Sequence, residues 1–271
     1  MIRLLLIDID GTLVGDDKLI PDKNRKAIHS LLAKKIIVTL VTGRNYHSSK
    51  EVLDALHEDV PIVFQNGAFI YRPISKTVIS KKYLHPEIAK FLIEKGRENN
   101  LYILLYTDFL ETIDMYIETK YAGVYEKYLE RNQYRMQLVP DLLDIPRNAI
   151  SEVVFLGKEN CIQKIYVEAE SRFPGQFSPI KSFDAAGEIF FEFFAPSVSK
   201  ANSVLLLSDY FKIPLSDIMF IGDSYNDIEA MKIVGMPVAM GNAIQEVKDL
   251  AGFICKSNND AGVAHAIESL L

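Results

Sequence analysis

The stretch Leu4-Leu5-Leu6-Ile7-Asp8-Ile9-Asp10-Gly11-Thr12-Leu13 decides how the chain folds. Its leading apolar run predicts a strand buried on both faces, as in a parallel sheet covered by helices. Side chains two apart on a strand project to the same side. Asp8 and Asp10 therefore converge where this strand ends, with a glycine and a hydroxyl directly behind them. Two carboxylates so placed suit a cation, and the group as a whole suits metal-assisted phosphoryl transfer.

Outward from this stretch, elements alternate. A strand to Ile9 is followed by a helix from about Pro21 to Lys34, a strand from Ile36 to Val41, a helix from about Tyr46 to His57, and a strand from Pro61 to Phe64. Ile28, Leu31 and Leu32 have core-facing spacing in the first helix, behind Pro21 and Asp22, which both favour a first turn. After Ser199 the alternation resumes: a helix carrying Ala201, Val204, Leu205 and Ser208, a strand Ile218 to Ile221, a helix Asp227 to Val234, a strand Pro237 to Met240, a helix near Ile244 to Leu250, and a last helix from Asp260. Both ends of the chain read as halves of one α/β fold with a parallel sheet.

The middle has a different texture. Alternating runs at 112–117 and 151–156 predict half-buried strands of an open sheet. The expected organisation is a core of residues 1–81 and 188–271 with a smaller α/β domain, 82–187, inserted into it. Nine of the 13 tyrosines fall in the insertion. Strand propensity and packing account for them; stacking on a bound sugar or heterocycle is the alternative.

Composition narrows the function. With 36 acidic against 30 basic residues among 271, the net charge is -6, which argues against a nucleic-acid surface. An anionic substrate then needs local positive groups. No stretch approaches 18 apolar residues and the N-terminus matches no secretory signal, so a cytoplasmic protein with no membrane partner is expected. Cys161 and Cys255 flank no Cys-x-x-Cys, which disfavours a disulfide framework or structural zinc. Neither Gly-x-x-x-x-Gly-Lys, Gly-x-Gly-x-x-Gly nor His-Glu-x-x-His occurs, which disfavours a P-loop ATPase, a dinucleotide dehydrogenase and a zinc hydrolase.

Open α/β sheets place ligands beyond their strand ends, and four ends here carry polar residues. Thr42-Gly43-Arg44 offers a hydroxyl and glycine-permitted backbone amides to a phosphate oxygen, although a plain turn reads the same. Lys200 opens a helix behind Ser197 or Ser199 as a cap, where its charge opposes the helix dipole unless an anion is near. Gly222-Asp223-Ser224-Tyr225-Asn226-Asp227 brings further carboxylates, Asp227 being alternatively only a helix-opening residue. Asp8, Asp10 and Asp223 side by side would repel one another, and a bound cation relieves the cost. Ligation by oxygen alone favours magnesium.

The ordered set Asp8-x-Asp10-Gly11-Thr12, Thr42-Gly43-Arg44, Lys200 and Gly222-Asp223-x-x-Asn226-Asp227 resembles the four motifs of the haloacid dehalogenase (HAD) superfamily of phosphatases. The long insertion resembles the C2 (IIB) cap of the Cof-type hydrolases. Gln65-Asn66-Gly67-Ala68, Ala239-Met240-Gly241-Asn242-Ala243 and Ser257-Asn258-Asn259-Asp260-Ala261-Gly262-Val263-Ala264 are further family-like stretches. Ala201 departs from the glycine that many relatives carry after the lysine.

The resemblance implies a Rossmannoid core and hydrolysis of small-molecule phosphomonoesters, sugar phosphates or related compounds. It makes Asp8 the nucleophile that becomes an aspartyl-phosphate and Asp10 the general acid and base. Magnesium would be held by Asp8, the Asp10 carbonyl and Asp223. Thr42, the Gly43 amide, Lys200 and Asn226 would hold the phosphate, Asp227 would support the ion or the lysine, and Arg44 and Asn66 would reach the substrate. The insertion would close over the site as a lid. A phosphomannomutase-like phosphotransferase and a non-catalytic phosphate-ligand binder are the competing readings. The sequence is silent on the physiological substrate and the oligomeric state.

Overall fold

The computed structural model describes residues 1–53, 56 and 58–271, with the backbone alone at 182–185. The far end of the helix expected from Tyr46 to His57 includes 54, 55 and 57, which lie outside the described residues. The first part of the chain forms β1 (Leu4–Ile7), α1 (Asp22–Ala33), β2 (Ile37–Leu40), α2 (Tyr46–Leu53), β3 (Ile62–Phe64), β4 (Phe69–Arg72) and β5 (Thr77–Lys81). The middle forms α3 (Pro86–Glu98), β6 (Tyr102–Tyr106), β7 (Met115–Ile117), α4 (Glu126–Asn132), β8 (Met136–Leu138), β9 (Glu152–Lys158), α5 (Glu159–Arg172), β10 (Ser178–Ala185) and β11 (Glu188–Phe194). The last part forms α6 (Lys200–Phe211), β12 (Ile218–Gly222), α7 (Ile228–Ile233), β13 (Met236–Ala239), α8 (Gln245–Leu250), β14 (Phe253–Ile254) and α9 (Gly262–Leu270).

Two compact units result, one of Met1–Lys81 with Ser199–Leu271 and one of Lys82–Val198. The second boundary falls at Val198 and not at 187, because β11 pairs along its length with β9 and so belongs to the second unit's sheet.

In the first unit a parallel sheet runs in the order β14-β13-β12-β1-β2. All four residues of β1 are fully buried, as a central strand covered on both faces requires. Ile7 lies level with Ile221 on one side and Leu40 on the other, so the residues that follow each emerge at one edge of the sheet. An isolated bridge from Val41 to Val63 places β3 beside β2, and β3 with β4 and β5 forms a small antiparallel sheet. Buried Asn24 ties α1 inward: its Nδ2 donates to the Leu13 carbonyl at 3.1 Å and its Oδ1 accepts from the Ala264 N–H at 2.9 Å. Ile28 and Leu31 are buried as their spacing predicts, whereas Leu32 is half-buried. On α6 the buried face carries Lys200, Ser203, Val204 and Leu207, so Leu205 is an exposed residue and not a core one.

In the second unit a six-stranded sheet runs β10-β11-β9-β6-β7-β8. The run at 151–156 is not half-buried as expected, since both its faces are packed, whereas the edge strand β8 is largely exposed. Val153 and Phe155 join a cluster with α3 and α5, while Val154 and Leu156 join a second cluster with Leu129 of α4 and with Tyr125 just before it. Within 112–117 only Met115–Ile117 is strand. Just before it Asp114 is drawn into a fully buried pair with Arg135, Nε to Oδ1 at 2.6 Å and Nη2 to Oδ2 at 2.8 Å. Tyrosines here pack from α4 onto the sheet: Tyr125, at the start of α4, and Tyr128 stand edge-on to Phe190, and the Tyr106 and Tyr128 hydroxyls lie 2.7 Å apart.

Candidate active site

The site is built where the strands of the first unit end. Backbone bonds carry the parallel pairing one residue past β1, from the Asp8 N–H to the Ile221 carbonyl at 3.0 Å and from the Val41 N–H to the Ile7 carbonyl at 3.0 Å. Asp8, Thr42 and Asp223 therefore leave neighbouring strands side by side, although 215 positions separate the first from the last.

Asp8, Asp223 and Asp227 each bring a carboxylate oxygen within 4.8 Å of the others. Burial raises the Asp8 carboxyl well above its usual range against the pull of Lys200, and the charges of Asp227 and Asp223 add to the rise. Asp223 is pushed up to about 7, by burial first and by Asp227 second. Such crowding is what a cation relieves. Lys200, 1% exposed, answers part of it: its Nζ donates to Asp8 Oδ1 and to Asp227 Oδ1, each at 2.6 Å. Burial works against the lysine's charge, but the two carboxylates outweigh it and raise its pKa. Ser199 caps α6 as expected, its hydroxyl accepting from the Asn202 N–H at 3.1 Å, and so sets Lys200 in the first turn.

Two glycines permit this approach. A Cβ on Gly11 would lie 2.3 Å from Asp223 Oδ2, and Gly11 is left-handed at φ +74°. A Cβ on Gly222 would lie 2.6 Å from the Asp227 carboxylate. Asp227 is the more committed acid. Its Oδ2 accepts from the Asp223 and Ser224 N–H groups at 3.0 and 3.1 Å while Oδ1 holds Lys200. Asp8 gives Oδ1 to Lys200 and Asp223 gives Oδ1 to the Thr12 hydroxyl at 2.7 Å, so each keeps its Oδ2 for an ion. A divalent cation fits this donor set, which is all oxygen and carries excess negative charge.

The Asp10 carboxylate stands apart from that cluster. Arg44 holds both of its oxygens, Nε to Oδ2 at 2.6 Å and Nη2 to Oδ1 at 2.8 Å, and Lys18 Nζ reaches Oδ1 at 2.9 Å. Burial alone would raise the Asp10 pKa; Arg44 and Lys18 outweigh it and bring it to about 2. The sequence reading sent Arg44 toward substrate, and here the guanidinium is spent on Asp10 and on the Ser48 carbonyl at 3.1 Å. Lys18 escaped that reading because nothing in its exposed, left-handed turn marks it.

Thr42 is buried, and its hydroxyl accepts from the Arg44 N–H at 3.0 Å, which folds the turn around Gly43. Asn66 lies fully buried beside Gly43, and its Oδ1 accepts from Asn226 Nδ2 at 2.9 Å. Asn242 donates to the Gly11 carbonyl at 2.8 Å and accepts from the Asn258 N–H at 2.9 Å, which ties the late loops to the first.

An open parallel α/β sheet whose strand ends gather acids, a buried lysine and a glycine turn suits a phosphate-ester hydrolase. The profile of haloacid dehalogenase-like hydrolases matches residues 5–267, and the chain belongs to that family. It is 30% identical to the 5-amino-6-(5-phospho-D-ribitylamino)uracil phosphatase YwtE of Bacillus subtilis, over 99% of this chain and 98% of that protein. Among solved structures, a haloacid dehalogenase-like hydrolase from Bacteroides thetaiotaomicron superposes with TM-score 0.85 at 27% identity, covering all of both chains. A HAD subclass IIB sugar phosphatase superposes with TM-score 0.81 over 98% of each chain, its 20% identity showing the fold alone. The protein is thus a HAD-type phosphatase acting on small phosphate esters. No described helix is long and apolar enough to cross a membrane.

Proposed function

We propose that this protein hydrolyses small-molecule phosphomonoesters, sugar phosphates or related compounds, with magnesium and through an aspartyl-phosphate on Asp8. The observation that carries the reading is the meeting of Asp8 with Lys200 at 2.6 Å beside Asp223, with Thr42 and Gly43 following the strand β2 that adjoins β1. A ribityl phosphate is the substrate named for the Bacillus subtilis relative, which supports a polyol or sugar phosphate as the class.

The Asp8 carboxylate attacks phosphorus, forming the Asp8 oxygen–phosphorus bond as the bond to the ester oxygen breaks. Asp10, ionised in the free protein by Arg44 and Lys18, has to take up a proton as the ester binds before it can hand that proton to the departing alkoxide; as a carboxylate again, it then takes one from the water that attacks the aspartyl-phosphate. That second attack releases inorganic phosphate and restores Asp8. Thr42, the Gly43 N–H, Lys200 and Asn226 hold the non-bridging oxygens, supplying the electrostatic stabilisation on which phosphoryl transfer depends. Asp227 keeps Lys200 aimed and pins the Asp223 turn through its two backbone bonds. Asp8 and Asp223, with the Asp10 carbonyl, would hold magnesium, which when bound neutralises carboxylate and phosphate charge together.

A phosphate-release screen over hexose, pentose and ribityl phosphates, pyridoxal phosphate and flavin mononucleotide tests the reading. Magnesium-dependent release from one or more of them is expected. Tight ester binding with no release over hours would favour a binder, and bisphosphate-stimulated isomerisation of a hexose monophosphate would favour a mutase.

A further inference from the structure

We propose that Asn66 is a positioning residue: through Asn226, its buried amide holds the phosphate-binding turn and the Asp223 turn in register. The inference rests on the phosphatase reading for what those turns bind.

Gln65, Asn66 and Gly67 take left-handed conformations in succession, at φ +45°, +54° and +107°. Two adjacent non-glycine residues there are strained, and strain persists where surrounding structure over-determines it. Three loops of the site do so. Toward the phosphate turn, the Asn66 N–H donates to the Thr42 carbonyl and the Gln65 N–H to the Arg44 carbonyl, each at 2.9 Å. Toward the Asp223 turn, Asn66 Oδ1 accepts from Asn226 Nδ2 at 2.9 Å. Toward α6, a Cβ on Gly67 would lie 2.2 Å from Ser203 Oγ and 3.0 Å from the Ser199 carbonyl, one residue before Lys200. One tripeptide thus touches each loop that presents a group to phosphate.

The Asn66 side chain is itself anomalous. It is 0% exposed, and its Nδ2 is a buried donor with no acceptor among the described residues. An apolar side chain in that place would avoid an unsatisfied donor. What an apolar side chain lacks is the oxygen that holds Asn226. The amide also lies flat on Gly43: a Cβ there would meet Asn66 Oδ1 at 3.3 Å and Nδ2 at 3.4 Å. A displacement of Asn66 therefore moves the backbone that offers its N–H to phosphate, and a small misplacement is enough to cost rate.

The test compares wild type with Asn66→Gly, Asn226→Ala and the double variant, all loaded with magnesium. Glycine keeps the left-handed backbone available and deletes the side chain that carries the amide. Binding of inorganic phosphate is measured by calorimetry, beside kcat and KM for ester hydrolysis and the midpoint of thermal unfolding. Each single variant is expected to weaken phosphate about tenfold, and the double to be no weaker than the worse single, because both break one coupling. Asn66→Gly is expected to unfold within a few degrees of wild type. Wild-type phosphate affinity in Asn66→Gly, or losses that multiply in the double, would overturn the proposal. Asn66→Ser, too short to reach Asn226, carries the same expectation if Asn66→Gly does not fold. Wild type that binds phosphate but hydrolyses no ester sinks the catalytic reading and leaves this one standing; wild type that binds no phosphate overturns both.

Discussion

Arg44 grips Asp10 through both carboxylate oxygens, at 2.6 and 2.8 Å, and so fixes the direction and the charge of the proposed general base. A bidentate guanidinium orients a carboxylate as a single ammonium does not. Arg44→Ala should lower turnover by about 10- to 100-fold, a share of what positioned acid–base catalysis supplies. Because Arg44 is the main group holding Asp10 at about 2, its loss lets that pKa rise, so the hydrolysis of the aspartyl-phosphate, which needs Asp10 as a base, should suffer more at pH 5 than at pH 7. Arg44→Lys should restore only part of the loss. Rate profiles over pH 4 to 8 for the three proteins check this, and an unchanged acidic limb in Arg44→Ala would count against it.

Lys200 is buried between two acids, so its removal is a stability change as well as a catalytic one. Breaking a buried pair by deleting one partner costs about 3–5 kcal/mol, since the charge left behind has no compensation. Lys200→Met should lose that much unfolding free energy, with its midpoint at lower denaturant, and should lose phosphate release. Magnesium should recover part of the stability, as a cation substitutes for the missing ammonium. Denaturant titrations with and without magnesium measure both effects.

What a linear sequence encodes about this site differs between Lys200 and Arg44. An unfavourable charge in a helix's first turn called for an anion, and the structure supplies Asp8 and Asp227. The parallel sheet was equally legible, because a run such as Leu4–Ile7 has few other stable placements. The pairing of Arg44 with Asp10 was not legible because the partner of a long, flexible cation is set by tertiary approach and not by local spacing. Lys18 was missed for the same reason. In the second unit the alternating pattern at 151–156 suggested one wet face, but helices and aromatic residues from distant segments cover both. The limit of the insertion was misplaced because β11 is defined by its pairing with β9, a long-range fact.

Metal and proton compete for the acidic cluster. The Asp223 carboxyl stands at about 7 against an ordinary 3.8, so without an ion the folded protein binds this proton more tightly than the unfolded chain. The stability this adds is present below the ordinary value and is lost as pH rises toward the folded one. Metal-free protein should therefore lose stability between about pH 4 and 7 on this group's account. Magnesium binding should release protons in that window and tighten as pH rises. Calorimetry in buffers of different ionisation enthalpy counts the protons; affinity flat from pH 5 to 8 would contradict the expectation.

The most direct test concerns Asp8. A phosphomonoester carrying labelled phosphate is mixed with the magnesium-loaded enzyme, quenched in acid within milliseconds, and the label is mapped by peptide digestion. The account predicts a hydroxylamine-labile phosphate on Asp8, and neither label nor turnover in Asp8→Asn. Turnover at the wild-type rate in Asp8→Asn, or label on another residue, would contradict it.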